Sequence, residues 1–298
     1  MSNKKLFCFG FGYTCDHLEQ YLRSENTDNS WQISGTTSDL DKGQRFEKRD
    51  VSLLVQDQER VIGDIGSLIK GTTHLLISAP PKNLGCPIFR SYLRDIVSLD
   101  TLEWIGYLST AGVYGNRYGN WVDETSEVRP STIRGTRRAK AEEQWISLFK
   151  RYDAPVHIFR LAGIYGQGRS AIDSINAGIA RRIYKEDHVF NRIHIDDISQ
   201  ILAASMLQPN PGAIYNVSDD EPAPSHEVIS EAARIMGVEE PPLIDIEYAN
   251  LAPMTESFYS DNKRISNKLI KEELGITLKY PTFREGLQEC WGKESTSA

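Results

Sequence analysis

The sequence predicts a doubly wound parallel α/β sheet followed by a smaller C-terminal α/β lobe. Short, continuously apolar runs such as Leu6 to Phe9 suit strands buried on both faces. Up to about residue 166 these runs alternate with stretches of helical spacing, a pattern that calls for parallel pairing through crossover connections. Beyond Gly166 the alternation gives way to shorter, proline-marked pieces.

In order, Leu6 to Phe9 predict a strand, and Leu18, Tyr21 and Leu22 predict a helix. "WQISGTT" reads as a second strand, and "RFEKRDVS", around Phe46 and Val51, as a short third. "THLLISAPP" is a strand stopped by Pro80 and Pro81, and "WIGYLSTAGVYG" is another. A helix from about 132 to 151 leads into the strand of "APVHIFRLAGIYG". These elements define a first domain over 1–166, to which the chain returns near 190–217 through "NRIHIDDISQILAASML" and "AIYNVSD". Residues 167–298 supply mainly the second lobe, with helices expected at 226–236 and in "RISNKLIKEELGI", and a frayed end at "KESTSA".

A chain of 298 residues with 40% hydrophobic composition can bury a substantial core. Its 34 basic and 41 acidic residues give a formal charge of -7, which disfavours nucleic acid and anionic membrane as partners. No apolar run approaches the roughly 18 residues needed to span a bilayer. The basic, apolar start is broken by glycine and followed by acidic residues, unlike a signal peptide. Cys8, Cys15, Cys86 and Cys290 form no C-x-x-C pair and suit buried thiols, so the expected location is the cytoplasm.

Gly10 and Gly12 stand where the first strand turns into a helix. The first glycine permits the tight turn, and the second lets backbone approach a pyrophosphate at the positive end of the helix. Cys15 holds the third glycine position of the dinucleotide fingerprint, where a small side chain still allows close packing. The candidate cofactor-binding residues are therefore Gly10, Phe11, Gly12, Tyr13 and Thr14, with Ser78, Ala79 and Pro80 at the end of the fourth strand. The second strand ends in Thr36, Thr37 and Ser38 rather than in an acidic residue, with Lys42 and Arg45 nearby. Hydroxyls and cations favour the 2′-phosphate of NADP over the bare ribose of NAD, with Asp39 or Asp41 folding back to the ribose as the alternative. Asp50 is a candidate for the adenine amino group or an ordinary turn residue.

The segments "GFGYTCDHL", "LSTAGVYG", "FRLAGIYGQGR", "RIHIDDIS", "YNVSDDEPAP" and "NKRISNKLIKEELGI" together resemble the NAD-dependent epimerase/dehydratase family. These are extended short-chain dehydrogenases/reductases, here of a branch with the motif G-x-G-Y-x-x-x-x-L. The resemblance runs from about residue 5 to 287 and implies a Rossmann-type fold, hydride transfer on a hydroxyl-bearing, sugar-like small molecule, and a homodimer as a candidate assembly. It also implies a catalytic Ser/Thr, Tyr and Lys, the last two spaced Y-x-x-x-K on one helix. Thr110, beside Ser109, matches the Ser/Thr. Lys140 matches the lysine that holds the nicotinamide ribose, but Thr136 stands where the tyrosine belongs, and an aliphatic hydroxyl is no substitute for a phenol as base. The departure leaves three expectations open: epimerase or dehydratase chemistry, a reductase using another base, or a binding or sensor protein without chemistry.

Tyr114 and Tyr118 are candidates for a displaced acid/base, with packing under the cleft as the alternative for Tyr114. The literal Y-x-x-x-K pair, Tyr259 and Lys263, falls in the C-terminal lobe and reads as coincidence. Arg169, in the turn "GQGR", is a candidate for holding a substrate phosphate or carboxylate. Arg134, Arg137 and Arg138 either bind an anion or form a solvated helix face. His194, Asp196 and Asp197 read as a strand end and helix start rather than as metal ligands, so no metal is expected.

Overall fold

The computed structural model describes residues 4–25, 31–39, 46, 49–55 and 64–295. The elements begin with β1 (Lys4–Phe9), α1 (Tyr13–Glu25), β2 (Trp31–Thr37), β3 (Val51–Val55), α2 (Ile65–Ile69), β4 (His74–Ile77), α3 (Pro87–Val97) and β5 (Trp104–Thr110). A 3-10 turn over Ala111–Tyr114 leads to β6 (Trp121–Val122), α4 (Ile133–Tyr152), β7 (Val156–Leu161) and β8 (Gly163–Tyr165). Then come α5 (Ala171–Asn176), β9 (Arg182–Tyr184), β10 (Arg192–His194), α6 (Ile195–Leu207) and β11 (Ile214–Val217). The chain closes with α7 (Ser225–Met236), β12 (Leu243–Asp245), α8 (Pro253–Tyr259), β13 (Arg264–Ile265), α9 (Lys268–Glu273) and α10 (Phe283–Ser295).

The central sheet has seven strands in the order β11-β7-β5-β4-β1-β2-β3. β1 pairs in parallel with β2 on one side and β4 on the other, so the winding reverses there. This is the predicted doubly wound architecture, and the reversal fixes where a ligand belongs, outside the carboxyl ends of β1 and β4. Every residue of β4 and β7 is buried, as expected of strands covered by helices on both faces. Phe7, Phe9, Leu75, Ile77, Ile105, Tyr107 and Ile158 from the strands pack with Ile69, Tyr92, Ile96, Trp145 and Leu148 from the helices.

The chain divides into two compact units. The first takes 1–109, 136–160 and 199–215, and the second takes 110–135, 161–198 and 216–298. The boundary therefore departs from the sequence expectation of 1–166 and 167–298. Residues 110–135 and 161–166 group with the second unit, and the return segment is narrower than 190–217. The second unit is also more than a small appendage. It contains three two-stranded parallel ribbons, β8 with β10, β9 with β12 and β6 with β13. Its core joins Tyr165, Ile172, Val228, Ala232, Phe283, Leu287 and Cys290.

Among the described residues five helices were not expected from the sequence, the short α2, α5 and α8 and the longer α3 and α10. α3 begins with Pro87 at its first turn and buries Ile88, Tyr92 and Ile96 at four-residue spacing. α10 buries Phe283, Leu287 and Cys290. The third strand starts at Val51, with Phe46 ahead of it. Among the described residues no helix is long and apolar enough to cross a membrane. All four cysteines are buried and none forms a disulfide.

Candidate functional site

The glycine turn after β1 has the geometry of an anion cradle. Gly10 adopts φ +88°, and a Cβ there would lie 3.0 Å from the Ala79 nitrogen, so both the turn and the close approach exclude a side chain. The Gly10 N–H donates to Thr36 Oγ1 at 3.1 Å, and the Phe11 N–H donates to the Thr36 carbonyl at 2.6 Å. The Ser78 and Ala79 N–H groups donate to the Phe9 carbonyl at 3.0 and 2.9 Å, which locks the end of β4 to the turn. A Cβ on Gly12, by contrast, would meet only the Gly10 carbonyl, 4.0 Å away. That open space lies at the start of α1, whose first N–H groups have no preceding helical carbonyl to bond. The residues present fit a pyrophosphate. Thr14 and Cys15 are buried in the first turn, and Cys15 Sγ lies 3.6 Å from the Gly10 carbonyl, filling the place of the third glycine. Tyr13 is half-buried, its ring 4.6 Å from that of His17.

At the end of β2 the hydroxyls are divided in role. Thr36 and Thr37 are buried, and both spend their oxygens on backbone, Thr36 on Gly10 and Thr37 on the Asp39 N–H at 3.2 Å. Ser38 is exposed. Lys42, Arg45 and Asp41 lie outside the described residues. Arg49 pairs with Asp16 at 2.8 Å and with the buried Glu19, so its charge is matched within the unit. Asp50 is exposed in a left-handed conformation, φ 56°, and its carbonyl accepts from Arg23 at 3.1 Å.

The expected catalytic residues fare differently from one another. Thr110 caps the 3-10 turn, its hydroxyl accepting the Gly112 N–H at 3.2 Å. Tyr114 is fully buried, and its phenol donates to Asn216 Oδ1 at 2.7 Å. Asn216 is itself held by the Ser266 carbonyl at 3.2 Å and Glu124 Oε1 at 2.7 Å, so Tyr114 belongs to a packed polar network. The packing alternative is the one the structure shows. Tyr118 is 86% exposed on a positive-φ turn.

Lys140 and Thr136 are both exposed on α4, whereas Gly135, Ala139, Ala141, Glu142 and Trp145 are buried. With 100° per residue, Lys140 lies opposite the centre of that buried stripe. The structure therefore does not bring Lys140 to the inner face; Arg138, half-buried, lies on that side, whereas Arg134 is exposed. Arg138 Nη1 donates to the Leu108 carbonyl and, at 3.4 Å, to the Tyr107 hydroxyl. Below it, Ser109 donates to Glu142, which also accepts Arg160 Nη2 at 2.8 Å and Nε at 3.2 Å. Glu142 and Arg160 are buried, so this is an ion pair in the interior. Burial drives the Tyr107 phenol far above its ordinary range, which keeps it protonated and unfit as a base near neutrality. Glu142, Arg160 and Tyr107 had no place in the sequence reading, and Arg138 entered it only as an anion-binding or solvated-face candidate; the available signal was the buried spacing of Ala139, Glu142 and Trp145.

In the second unit, Arg169 sits in the turn after β8, its N–H bonded to the Gly166 carbonyl at 3.0 Å. Asp197 accepts the Lys279 and Tyr280 N–H groups at 2.6 and 3.1 Å, tying that segment to α6. His194 is buried under the Tyr280 ring, 4.1 Å between centroids, and its Nε2 is 3.6 Å from Glu289, close to Cys290. Lys293 already pairs with that carboxylate. Tyr259 ends α8 and Lys263 lies beyond it, pairing with Asp261 at 3.4 Å, so the two share no helix.

No family model matches the chain. No curated protein matches it either. Among solved structures, a dTDP-glucose 4,6-dehydratase from Bacillus anthracis str. Ames in complex with NAD has a TM-score of 0.76 at 16% identity, covering 99% of this chain and 98% of that one. A UDP-glucuronic acid 4-epimerase from Bacillus cereus in complex with NAD has a TM-score of 0.75 at 16% identity, covering 98% and 99%. Such distant likeness establishes the fold. A functionally unknown conserved protein from Silicibacter pomeroyi DSS is 43% identical over 98% of this chain and 99% of that one, with a TM-score of 0.87, and the chain belongs to the family of that protein.

Proposed function

We propose that the protein binds a nicotinamide dinucleotide at the β1–α1 turn and acts on a hydroxyl-bearing, sugar-like small molecule. The observation that carries this reading is the cradle of Gly10 and Gly12, with open space over Gly12 at the point where the sheet reverses. Support comes from distant fold neighbours solved with NAD. When bound, the dinucleotide would supply or accept hydride; the chain would hold its pyrophosphate through Gly10 to Thr14 and its adenosine end near Ser38. Ser38 supports an NADP preference, whereas Thr36 and Thr37 do so less, because their oxygens serve the backbone. Thr110 remains the candidate for orienting a substrate hydroxyl, and Arg169 for meeting an anionic substrate group.

A specific observation favours a second reading, dinucleotide binding without epimerase chemistry. Arg138 stands on the inner side of α4, Lys140 is turned outward, and Tyr107 and Tyr114 are both buried. Guanidinium groups bind and polarise but do not exchange protons near neutrality. The deciding experiment is calorimetric titration of cofactor-stripped protein with NAD, NADH, NADP and NADPH. Micromolar or tighter binding of one pair supports the reading, and absence of heat from a folded sample refutes it. A screen of nucleotide-sugars that follows absorbance of the reduced nicotinamide then separates a reductase, which shows net change, from an epimerase, which does not.

A further inference from the structure

We propose that Arg138 sets the redox preference of the dinucleotide site, favouring the reduced cofactor over the oxidised one. The inference rests on the dinucleotide reading above and concerns groups of the first unit alone.

Its first support is place. β4 lies between β1 and β5, and Ile77 is registered opposite Tyr107. Two residues beyond Ile77, Ala79 is the residue against which Gly10 packs. Arg138 Nη1 is fixed to the Leu108 carbonyl and the Tyr107 hydroxyl, so the guanidinium is anchored on the strand next to the one that braces the phosphate turn. A dinucleotide on a doubly wound sheet spans the crevice with its adenosine ribose at the end of β2. Its nicotinamide half then belongs on the β4 and β5 side, where Arg138 is anchored.

The second support is charge. Glu142, the nearest carboxylate along α4, is occupied by Arg160 and Ser109. Among the described residues no carboxylate forms an ion pair with Arg138 within 4.0 Å. The guanidinium is half-buried and also lies over the Tyr107 ring, 5.9 Å from its centroid, and both contacts restrict where it can swing.

The oxidised nicotinamide ring is cationic and the reduced ring is neutral, while pyrophosphate and riboses are the same in both. A fixed cation on that side of the crevice therefore raises the dissociation constant of the oxidised form relative to the reduced one. For two unit charges roughly 8 Å apart, with an effective dielectric of about 20 to 40, the discrimination is about tenfold.

The test measures dissociation constants of the oxidised and reduced forms of the same dinucleotide, by calorimetry and by nicotinamide fluorescence, for wild type, Arg138→Gln and Arg138→Lys. We expect the ratio of oxidised to reduced constants to fall about tenfold in Arg138→Gln and to stay near wild type in Arg138→Lys. A structural role alone would weaken both forms alike, so an unchanged ratio in Arg138→Gln overturns the proposal. If Arg138→Gln does not fold, the wild-type ratio at low and high salt decides: a severalfold fall with added salt supports the fixed charge, and a constant ratio overturns it. Failure of wild type to bind either form would instead overturn the dinucleotide reading itself.

Discussion

Replacing Glu142 by Gln isolates the energetics of the buried cluster at the end of β5. The Glu142 and Arg160 side chains are 7% and 3% exposed, and they meet through Nη2 at 2.8 Å and Nε at 3.2 Å. Glutamine preserves shape and one acceptor but removes the negative charge that the buried Arg160 guanidinium meets. Breaking such a pair on one side costs about 3–5 kcal/mol, and the residual acceptor places this variant at about 3 kcal/mol. At roughly 2–4 °C per kcal/mol for a chain of this size, the Tm should fall by roughly 6–12 °C. Far-UV circular dichroism on heating and urea titration read the loss directly. Adding Arg160→Met removes the buried cation as well, so the double variant should be more stable than Glu142→Gln alone. A Tm within about 2 °C of wild type, or a double variant that loses the sum of the two singles, would refute the argument that the pair is coupled.

Gly12→Val fills the open space over the phosphate turn and should weaken dinucleotide binding about a hundredfold with unchanged circular dichroism; retained affinity in the folded variant would sink the cradle. Ser38→Asp places a carboxylate where a 2′-phosphate would lie, so the ratio of NADP to NAD affinity should fall at least tenfold; competitive titration with both would expose an unchanged ratio. His157 Nε2 accepts the Asn210 N–H at 2.9 Å, and burial lowers the pKa of this histidine from 6.5 to about 4. Because the folded value lies below the unfolded one, the stabilisation is present above pH 6.5 and is lost as pH falls towards 4. Urea unfolding at about pH 7.5 and pH 5 should show a loss of up to about 2 kcal/mol from this group, and His157→Gln should flatten that slope. An identical slope in the variant would dismiss His157 as the cause.

The sheet was legible because its strands carry short apolar runs, as at Leu6 to Phe9 and Leu75 to Ile77, and some of them are bounded by glycine or proline, as at Gly10 and Pro80. The phosphate turn was legible for the same reason, since the glycine spacing is itself the geometry. α3 was missed although its signals, Pro87 followed by Ile88, Tyr92 and Ile96, are local. α10 was missed because Phe283, Leu287 and Cys290 are separated by charged residues, and burial of that stripe depends on partners from α5 and α7. On α4 the error was one of phase. With the expected tyrosine absent, Lys140 was placed by its identity, whereas Ala139, Glu142 and Trp145 mark the inner face and point to Arg138. The role of Thr36 was hidden for a different reason. A hydroxyl at a strand end serves a ligand or a neighbouring backbone equally well, and only the position of the Gly10 N–H separates the two.

The first unit is assembled from three separate stretches, the last of them Ser199–Tyr215, and β11 is the outermost strand beside β7. During synthesis, the ribosome must therefore release about three-quarters of the chain before this sheet has all its strands, since domains fold as units when their last segment emerges. Until then β7 presents a bare edge, rich in Val, Ile, Phe and Leu, of the kind that invites pairing with another nascent chain. A nonsense codon after residue 161 and before residue 214 leaves that edge permanently open, so such prematurely terminated products of this protein should be aggregation-prone clients of chaperones and proteases, and neither unit can be expressed as a simple contiguous fragment.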